Sequence, residues 1–271
     1  MSHARVSRSG SDLSRHRQVA EGFGADPDRY DRTRPRYPDA LVRRVAGDRA
    51  GLDVVDVGCG TGIAARQFQA AGCTVLGVEP DPRMAEVARR RGLVVEMSAF
   101  ETWDPAGRSF DAVVAGQTWH WLDAVAGARK AAQVLRPGGR LAVFWNAEVP
   151  PPDALRAFGE VYRRMLPGSL VARQWTNDSL AGYAELGRKA ADGMERSGGF
   201  GPPEETRDDW ERTYSRDEWL DQLPTHGDHS QFPVALVREV QAAVGAVIDR
   251  LGGSFTMGYA TVGISAVRTS S

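Results

Sequence analysis

Glycine recurs at every second position in Gly58-Cys59-Gly60-Thr61-Gly62, with Asp56 just before the run and Glu79 downstream. Glycine lacks a Cβ, so the N–H groups of such a loop can approach a ligand closely and the chain can turn left-handed. An acidic residue at the end of the next strand can bind ribose hydroxyls, and Glu79 holds that place. A dinucleotide-binding fingerprint follows G-x-G-x-x-G and needs glycine at position 63. That position is Ile63, so the spacing here is G-x-G-x-G, with Asp56 inside the preceding strand.

A second group of residues carries rings. His120 stands in Gly116-Gln117-Thr118-Trp119-His120-Trp121 and is a candidate general base, because imidazole takes up a proton at pH about 6.5. It serves equally well as an anchor for its loop. Trp119, Trp121 and Trp145 read as an apolar wall for a flat substrate. His226 and His229 form H-x-x-H, a spacing open to a metal or a substrate. Only Asp228 offers a further ligand nearby, which argues against a metal. Tyr214 completes the pocket or packs in the core. Cys59 and Cys73 are the only cysteines, too few for a disulfide scaffold.

These residues need elements to hold them. Leu52 to Val57 reads as a buried strand, followed by the glycine loop and a helix over Ile63 to Ala71. The alternation repeats with strands over Thr74 to Val78, Leu93 to Met97, Phe110 to Ala115 and Arg140 to Trp145. Helices are predicted over Pro38 to Ala46, Pro82 to Arg91 and Asp123 to Leu135, and this rhythm argues for a parallel α/β sheet covered on both faces. Ligands then sit beyond the carboxyl ends of the strands, which directs Gly116 to Trp121 and Asn146-Ala147-Glu148 toward the chemistry. After Val149-Pro150-Pro151-Pro152 come predicted helices over Asp153 to Met165 and Asn177 to Arg196. Ser215-Arg216-Asp217-Glu218 opens another as a capping box, Val234 to Leu251 is a further helix, and Phe255 to Val267 ends the chain as an edge strand.

Val54-Val55-Asp56-Val57-Gly58-Cys59-Gly60-Thr61-Gly62 resembles the first motif of class I S-adenosylmethionine-dependent methyltransferases. Four further features follow in the family's order: Gly77-Val78-Glu79-Pro80, Ala99-Phe100-Glu101, Phe110 to Val114, and Leu135-Arg136-Pro137-Gly138-Gly139. Tyr30 to Pro38 is similar to a Y-x-x-x-R-P-x-Y-P segment, and Gln117 to Trp121 to a Q-x-W-H-W stretch, of a bacterial small-molecule subgroup that includes the trans-aconitate methyltransferases. The resemblance implies a Rossmann-like, doubly wound sheet of seven mostly parallel strands, with an antiparallel C-terminal edge strand and a helical lid insertion. It implies that Gly58 and Gly60, with Cys59 beside them, line the methionine part of S-adenosylmethionine, and that Asp56 braces the loop and the nearby amine. Glu79, followed by Pro80, would hold the ribose, and Ala99 and Phe100 would flank adenine. Tyr30 and Arg34 would reach the methionine carboxylate, Gln117 would meet the cofactor, and His226 and His229, where relatives carry T-x-S or S-x-S, would contact the substrate. Many relatives carry Asp where this chain has Ser98, which leaves adenine N6 without its usual partner.

The implied reaction is methyl transfer to an O, N or C nucleophile of a small metabolite, leaving S-adenosylhomocysteine. Rival readings are a cofactor-binding protein without transfer and, against Ile63, a nicotinamide-dependent dehydrogenase. The domain reading is a basic tail at residues 1–22, a cofactor-binding core at 23–146, a helical lid at 147–209 and completion of the sheet at 210–271. A net charge of -1 over 271 residues does not favour nucleic acid as partner, and no run approaches the roughly 20 apolar residues of a membrane span. A cytoplasmic location is expected.

Overall fold

The computed structural model describes residues 22–47, 49, 51–175 and 179–269, so the predicted basic tail, apart from Gly22, lies outside the described residues. Five strands form the parallel part of the sheet: β1 (Asp53–Val57), β2 (Thr74–Glu79), β3 (Val94–Met97), β4 (Phe110–Gly116) and β5 (Leu135–Val149). With β6 (Glu204–Ser215) and β7 (Ser254–Val267) the order is β3-β2-β1-β4-β5-β7-β6. β7 runs antiparallel to both neighbours, so six strands share one direction and one opposes them.

The expected fold class is present, with one correction. β7 is not at the edge, because β6 pairs along its whole outer side. β6 escapes a sequence reading since Glu204 to Ser215 alternates charged residues with only half-buried ones, Tyr214 alone being buried.

Successive strand residues point to opposite faces, and both faces are covered. Val54, Val75 and Phe144 pack under α2 (Asp39–Ala46), α3 (Ile63–Ala70) and α4 (Pro82–Arg90). Val55, Val57, Val143 and Trp145 pack under α5 (Ala124–Val134) and α8 (Ser179–Ser197), which supplies Ala190 and Met194 at i and i+4. Asp81 and Asp123 cap α4 and α5 with side-chain acceptors, as their positions before helical runs require. The segment 147–209 is therefore not a lid throughout. α8 belongs to a sheet-covering layer, and β6 begins inside the same segment.

A third core lies past the carboxyl end of β5. There α6 (Pro152–Met165), α7 (Leu170–Gln174), α9 (Arg216–Gln222) and α10 (Val234–Arg250) pack against the overhanging ends of β6 and β7. The predicted capping box at Ser215 and Glu218 opens α9. Phe158 is central to this cap, with ring centroids of Trp175, Phe255 and Trp219 at 4.9, 5.4 and 6.2 Å. β5 also runs further than predicted, so Asn146, Ala147 and Glu148 pair with Thr261, Ala260 and Tyr259 and are strand residues beneath the cap.

Phe158→Ala should cost about 3–5 kcal/mol by removing a fully buried ring from this aromatic cluster. Urea unfolding measures it; a loss under about 1 kcal/mol would show that the cap is not packed as described.

Candidate functional site

The loop between β1 and α3 holds Gly58, Gly60 and Gly62 at φ of 59°, 55° and 84°, a region that strains other residues. Gly58 and Cys59 donate to the Val78 carbonyl at 2.8 and 3.3 Å, closing the loop onto β2. A Cβ on Gly58 would meet Thr118 Cγ2 at 2.2 Å, so glycine is also required for close approach. The Cys59 side chain turns away from the loop into the core, its Sγ against Gly77, so only its backbone faces the site.

Glu79 ends β2 with both oxygens engaged. Oε2 accepts the Gly60 N–H and Oε1 the Asp81 N–H, each at 2.8 Å. Each carboxylate oxygen has two lone pairs, so one acceptor position per oxygen remains for a pair of hydroxyls. Burial pushes the Glu79 carboxyl up from its ordinary range despite those two backbone donors. Asp56 is buried more completely. Burial raises its pKa to about 8, the Ala65 N–H lowers it and the Glu79 charge raises it further. Its Oδ2 has no partner among the described residues. Two buried carboxyl groups, one of them with an orphaned oxygen, can accept a ligand that brings hydroxyls and positive charge.

Pro80 is exposed beside this pair and Ala99 is exposed at the end of β3. Phe100 departs from its expected role. It is buried on the core side, stacked on Trp103 at 6.1 Å, and anchors the loop from below.

A strap covers the site, formed by a turn at Phe23–Ala25, α1 (Pro27–Thr33) and the extended residues 34–38. Arg29 and Arg32 pair with Asp221 of α9 at 3.2 and 2.8 Å, while Asp31 pairs with Arg66 at 2.6 Å and Arg91 at 3.1 Å. The strap thus joins cap to core. Arg34 donates to the Thr225 carbonyl, lies over the Tyr30 ring at 5.1 Å, and keeps its buried Nε without a partner among the described residues. That arrangement suits a carboxylate arriving beside Tyr30. An open cleft of about 940 Å³ runs along the strap between α3 and Trp210 to Arg212, but neither Asp56, Glu79 nor the glycine loop lines it.

At the end of β4, Gln117 takes a left-handed φ of 58°, a strained position for a residue with a side chain. Its N–H reaches the Phe144 carbonyl at 2.9 Å and its side-chain amide the Asn146 carbonyl at 3.1 Å. The Thr118 hydroxyl lies 3.0 Å from the Gly58 carbonyl and ties this turn to the glycine loop, a link sequence reasoning missed.

The tryptophan wall is corrected. Trp119 and Trp145 are core residues under α5 and α8, and only Trp121 is left half-buried beside His120. Trp145 Nε1–H donates to His120 Nδ1 at 3.1 Å. Indole can only donate, so that bond takes the one lone pair of a neutral His120 and leaves Nε2 protonated. Of the two roles open to His120, the structure favours the loop anchor over the general base.

The other two histidines lie inside the cap. His226 Nε2 is 2.9 Å from Glu148 Oε1, whose other oxygen accepts from Gln174 at 2.7 Å. Burial pushes the Glu148 carboxyl up, but His226, Arg34 and Gln174 together outweigh it and hold it below its ordinary range. His229 Nδ1 donates to the His226 carbonyl at 2.7 Å and Nε2 faces the Tyr162 hydroxyl at 3.4 Å. Both of its nitrogens are used internally, so His229 is structural. Tyr214 is likewise spent, its hydroxyl 2.6 Å from that of Tyr259. Of the expected pocket residues, the buried His226 keeps Nδ1 without a hydrogen bond among the described residues, and Trp121 stays half-buried. Gln222 and Trp219, which were not foreseen, stand next to His226. Their spacing of three after the capping box was the available signal. Among the described residues no group of three His, Cys, Asp or Glu side chains is placed to hold a metal, and no helix is long and apolar enough to cross a membrane.

A glycine loop, two buried carboxyl groups and this strand order define a doubly wound α/β fold of the Rossmann-like methyltransferase type. Residues 55–143 match the methyltransferase domain family. The chain is 33% identical over 212 residues to the 27-O-demethylrifamycin SV methyltransferase of Amycolatopsis mediterranei, covering 73% of this chain and 75% of that one. It is also 33% identical over 150 residues to an uncharacterized methyltransferase of Mycobacterium tuberculosis, across 55% of this chain and 61% of that protein's length. A solved protein of Anaeromyxobacter dehalogenans, described as a type II methyltransferase, shares the fold with a TM-score of 0.59 at 23% identity, covering 88% of this chain and 99% of that one. The chain belongs to the class I S-adenosylmethionine-dependent methyltransferases.

Burial lowers the pKa of His229 to about 4, against 6.5 for an ordinary imidazole. Between these values the unfolded chain binds the proton and the folded chain does not, so stability rises with pH from 4 to 6.5. Urea unfolding should show a cost of up to about 3 kcal/mol at pH 4 relative to pH 7 from this residue. His229→Gln should flatten that slope; an unchanged slope would remove His229 as its source.

Proposed function

We propose that this chain transfers a methyl group from S-adenosylmethionine to a small-molecule acceptor bound between the strap and the cap. The observation that carries the reading is the pair of buried carboxyl groups at one glycine loop, with Asp56 Oδ2 orphaned. S-adenosylmethionine fits because it brings an ammonium, a sulfonium and two ribose hydroxyls to a site built of carboxylates and backbone N–H groups. Bound there, it supplies a methyl group already activated on sulfur.

The chain's part is then to hold and exclude water. Glu79 would take the ribose hydroxyls on its remaining lone pairs while keeping the Gly60 N–H. Asp56, ionised once a cation is beside it, would hold the ammonium. Arg34 and Tyr30 would close the carboxylate end, the Arg34 Nε supplying the donor. Positioning of this kind can account for roughly 7–11 kcal/mol of a transfer barrier. The rifamycin relative carries the name of an enzyme that methylates a small natural product, which supports the same class of acceptor here.

Calorimetry with S-adenosylmethionine, S-adenosylhomocysteine and NADH tests the reading: the first two should bind and NADH should not. A preference for NADH would overturn it. Because Asp56 is protonated below about 8 and must lose its proton to hold a cation, S-adenosylmethionine affinity should rise between pH 5.5 and 7.5, by as much as tenfold per unit. In Asp56→Asn affinity should be weaker and nearly flat; a flat wild-type profile would exclude this linkage.

A further inference from the structure

The cap interior holds an acidic and imidazole pair that the cofactor does not use. We propose that Glu148, His226, Gln222 and Trp219 form the methyl-acceptor site, that it takes a neutral hydroxyl-bearing acceptor such as a phenol or alcohol, and that His226 removes the hydroxyl proton. This rests on the methyltransferase reading above and specifies its substrate class.

Position is the first argument. Glu148 lies on β5 two residues beyond Asn146, whose carbonyl takes the Gln117 side chain. Arg34 of the strap donates to the carbonyl of Thr225, the residue before His226, and its charge is felt at Glu148. The same guanidinium therefore touches the cofactor's expected amino-acid end and the His226 turn. Beyond the carboxyl ends of β4 and β5 is where the acceptor of such a sheet belongs.

The tautomer is the second. Glu148 is ionised, so the 2.9 Å contact requires a proton on His226 Nε2. A neutral His226 then carries its lone pair on Nδ1, which has no hydrogen bond among the described residues. This is the reverse of His120, whose lone pair is taken by Trp145.

An orphaned polar atom is the third and independent observation. The buried Trp219 Nε1 has no acceptor among the described residues. Leaving such a group unsatisfied costs about 1–3 kcal/mol, so it marks a place for a ligand oxygen. The rings of Trp219 and His226 are 5.3 Å apart, so the orphan borders the same imidazole. The Gln222 side-chain amide stands 3.2 Å from His226 Nε2, where the proton on that nitrogen requires the amide oxygen to face it, and it fixes the ring.

Charge decides the acceptor class. The groups around the His226–Glu148 pair are Arg34 on the strap, Gln222 and Trp219 on α9, Asp228 and His229 on the following turn, Tyr162 on α6, Tyr183 on α8, Tyr214 on β6 and Tyr259 on β7. Asp228 is turned away, accepting the N–H groups of Leu170 and Val171. An acceptor entering as a carboxylate would meet the buried Glu148 anion and would need no base. A hydroxyl is neutral and needs one. In the step, the acceptor O–H bond breaks and its proton goes to His226 Nδ1, the imidazolium being offset by Glu148. The freed oxygen pair forms the new O–CH3 bond as the methyl–sulfur bond breaks, its electron pair staying on sulfur. His226 is thus catalytic and Glu148 a positioning residue.

The test uses the full chain, first titrated with S-adenosylhomocysteine and then with 4-nitrophenol or 4-nitrobenzoate as probes. The first titration reports the cofactor reading alone; failure there overturns the proposed function. In the loaded protein, 4-nitrophenol should bind and show its phenolate spectrum at a pH below its own solution pKa, while 4-nitrobenzoate binds at least tenfold more weakly. His226→Gln should bind 4-nitrophenol without the phenolate spectrum, and Glu148→Gln should lose that spectrum at low pH. Nitrogen-15 NMR of the unsubstituted protein should find His226 protonated at Nε2 and not at Nδ1 when neutral. No binding of 4-nitrophenol, equal binding of the benzoate, a phenolate spectrum surviving in His226→Gln, or the opposite tautomer would each overturn the proposal.

Discussion

The carboxyl groups of Asp56 and Glu79 lie buried around one loop, and the charge on Glu79 adds to the burial that keeps Asp56 protonated. Burying two such groups is unfavourable unless the backbone compensates. It does so for Glu79 through the N–H groups of Gly60 and Asp81, which fixes the loop against the end of β2. The left-handed glycines and the Thr118 hydroxyl on the Gly58 carbonyl then follow as the means of holding that loop. The second carboxyl group, Asp56, keeps one oxygen without a partner among the described residues, which is where the proposed cation would sit.

Around this centre the molecule is joined unevenly. The sheet and its two helical faces are held by apolar burial, whereas the strap meets its neighbours largely through arginine–aspartate pairs such as Arg32–Asp221 and Arg91–Asp31. Exposed pairs such as Arg32–Asp221 contribute roughly 0–1 kcal/mol each, whereas the buried Asp31 carboxylate, held by both Arg66 and Arg91, is the firmer tie between strap and core. The cap is the opposite case: its core is a buried aromatic cluster, and the strap meets its polar side where Arg34 donates to the Thr225 carbonyl.

Much of this was legible in the residues. The loop spacing, Asp56 inside the strand and Glu79 at the end of the next one point to the left-handed glycine loop closed on Glu79, because backbone geometry there allows few alternatives. Trp145 was readable in principle: Leu141, Val143 and Trp145 share one strand face, and period 2 sends all three into the core. Ending β5 at Trp145 hid that, and hid Glu148 as a strand residue. β6 was not readable, since an edge strand half exposed along its length has no apolar face to announce it. The cap site needed contacts between Glu148 and His226, far apart in sequence, and only the fold brings them together.

The most direct measurement of the central claim is a crystal structure of the chain with S-adenosylhomocysteine. The account predicts both ribose hydroxyls on Glu79 with the Gly60 N–H retained, and the ammonium at Asp56. An adenosine bound elsewhere, or Glu79 still bonded only to backbone, would contradict it.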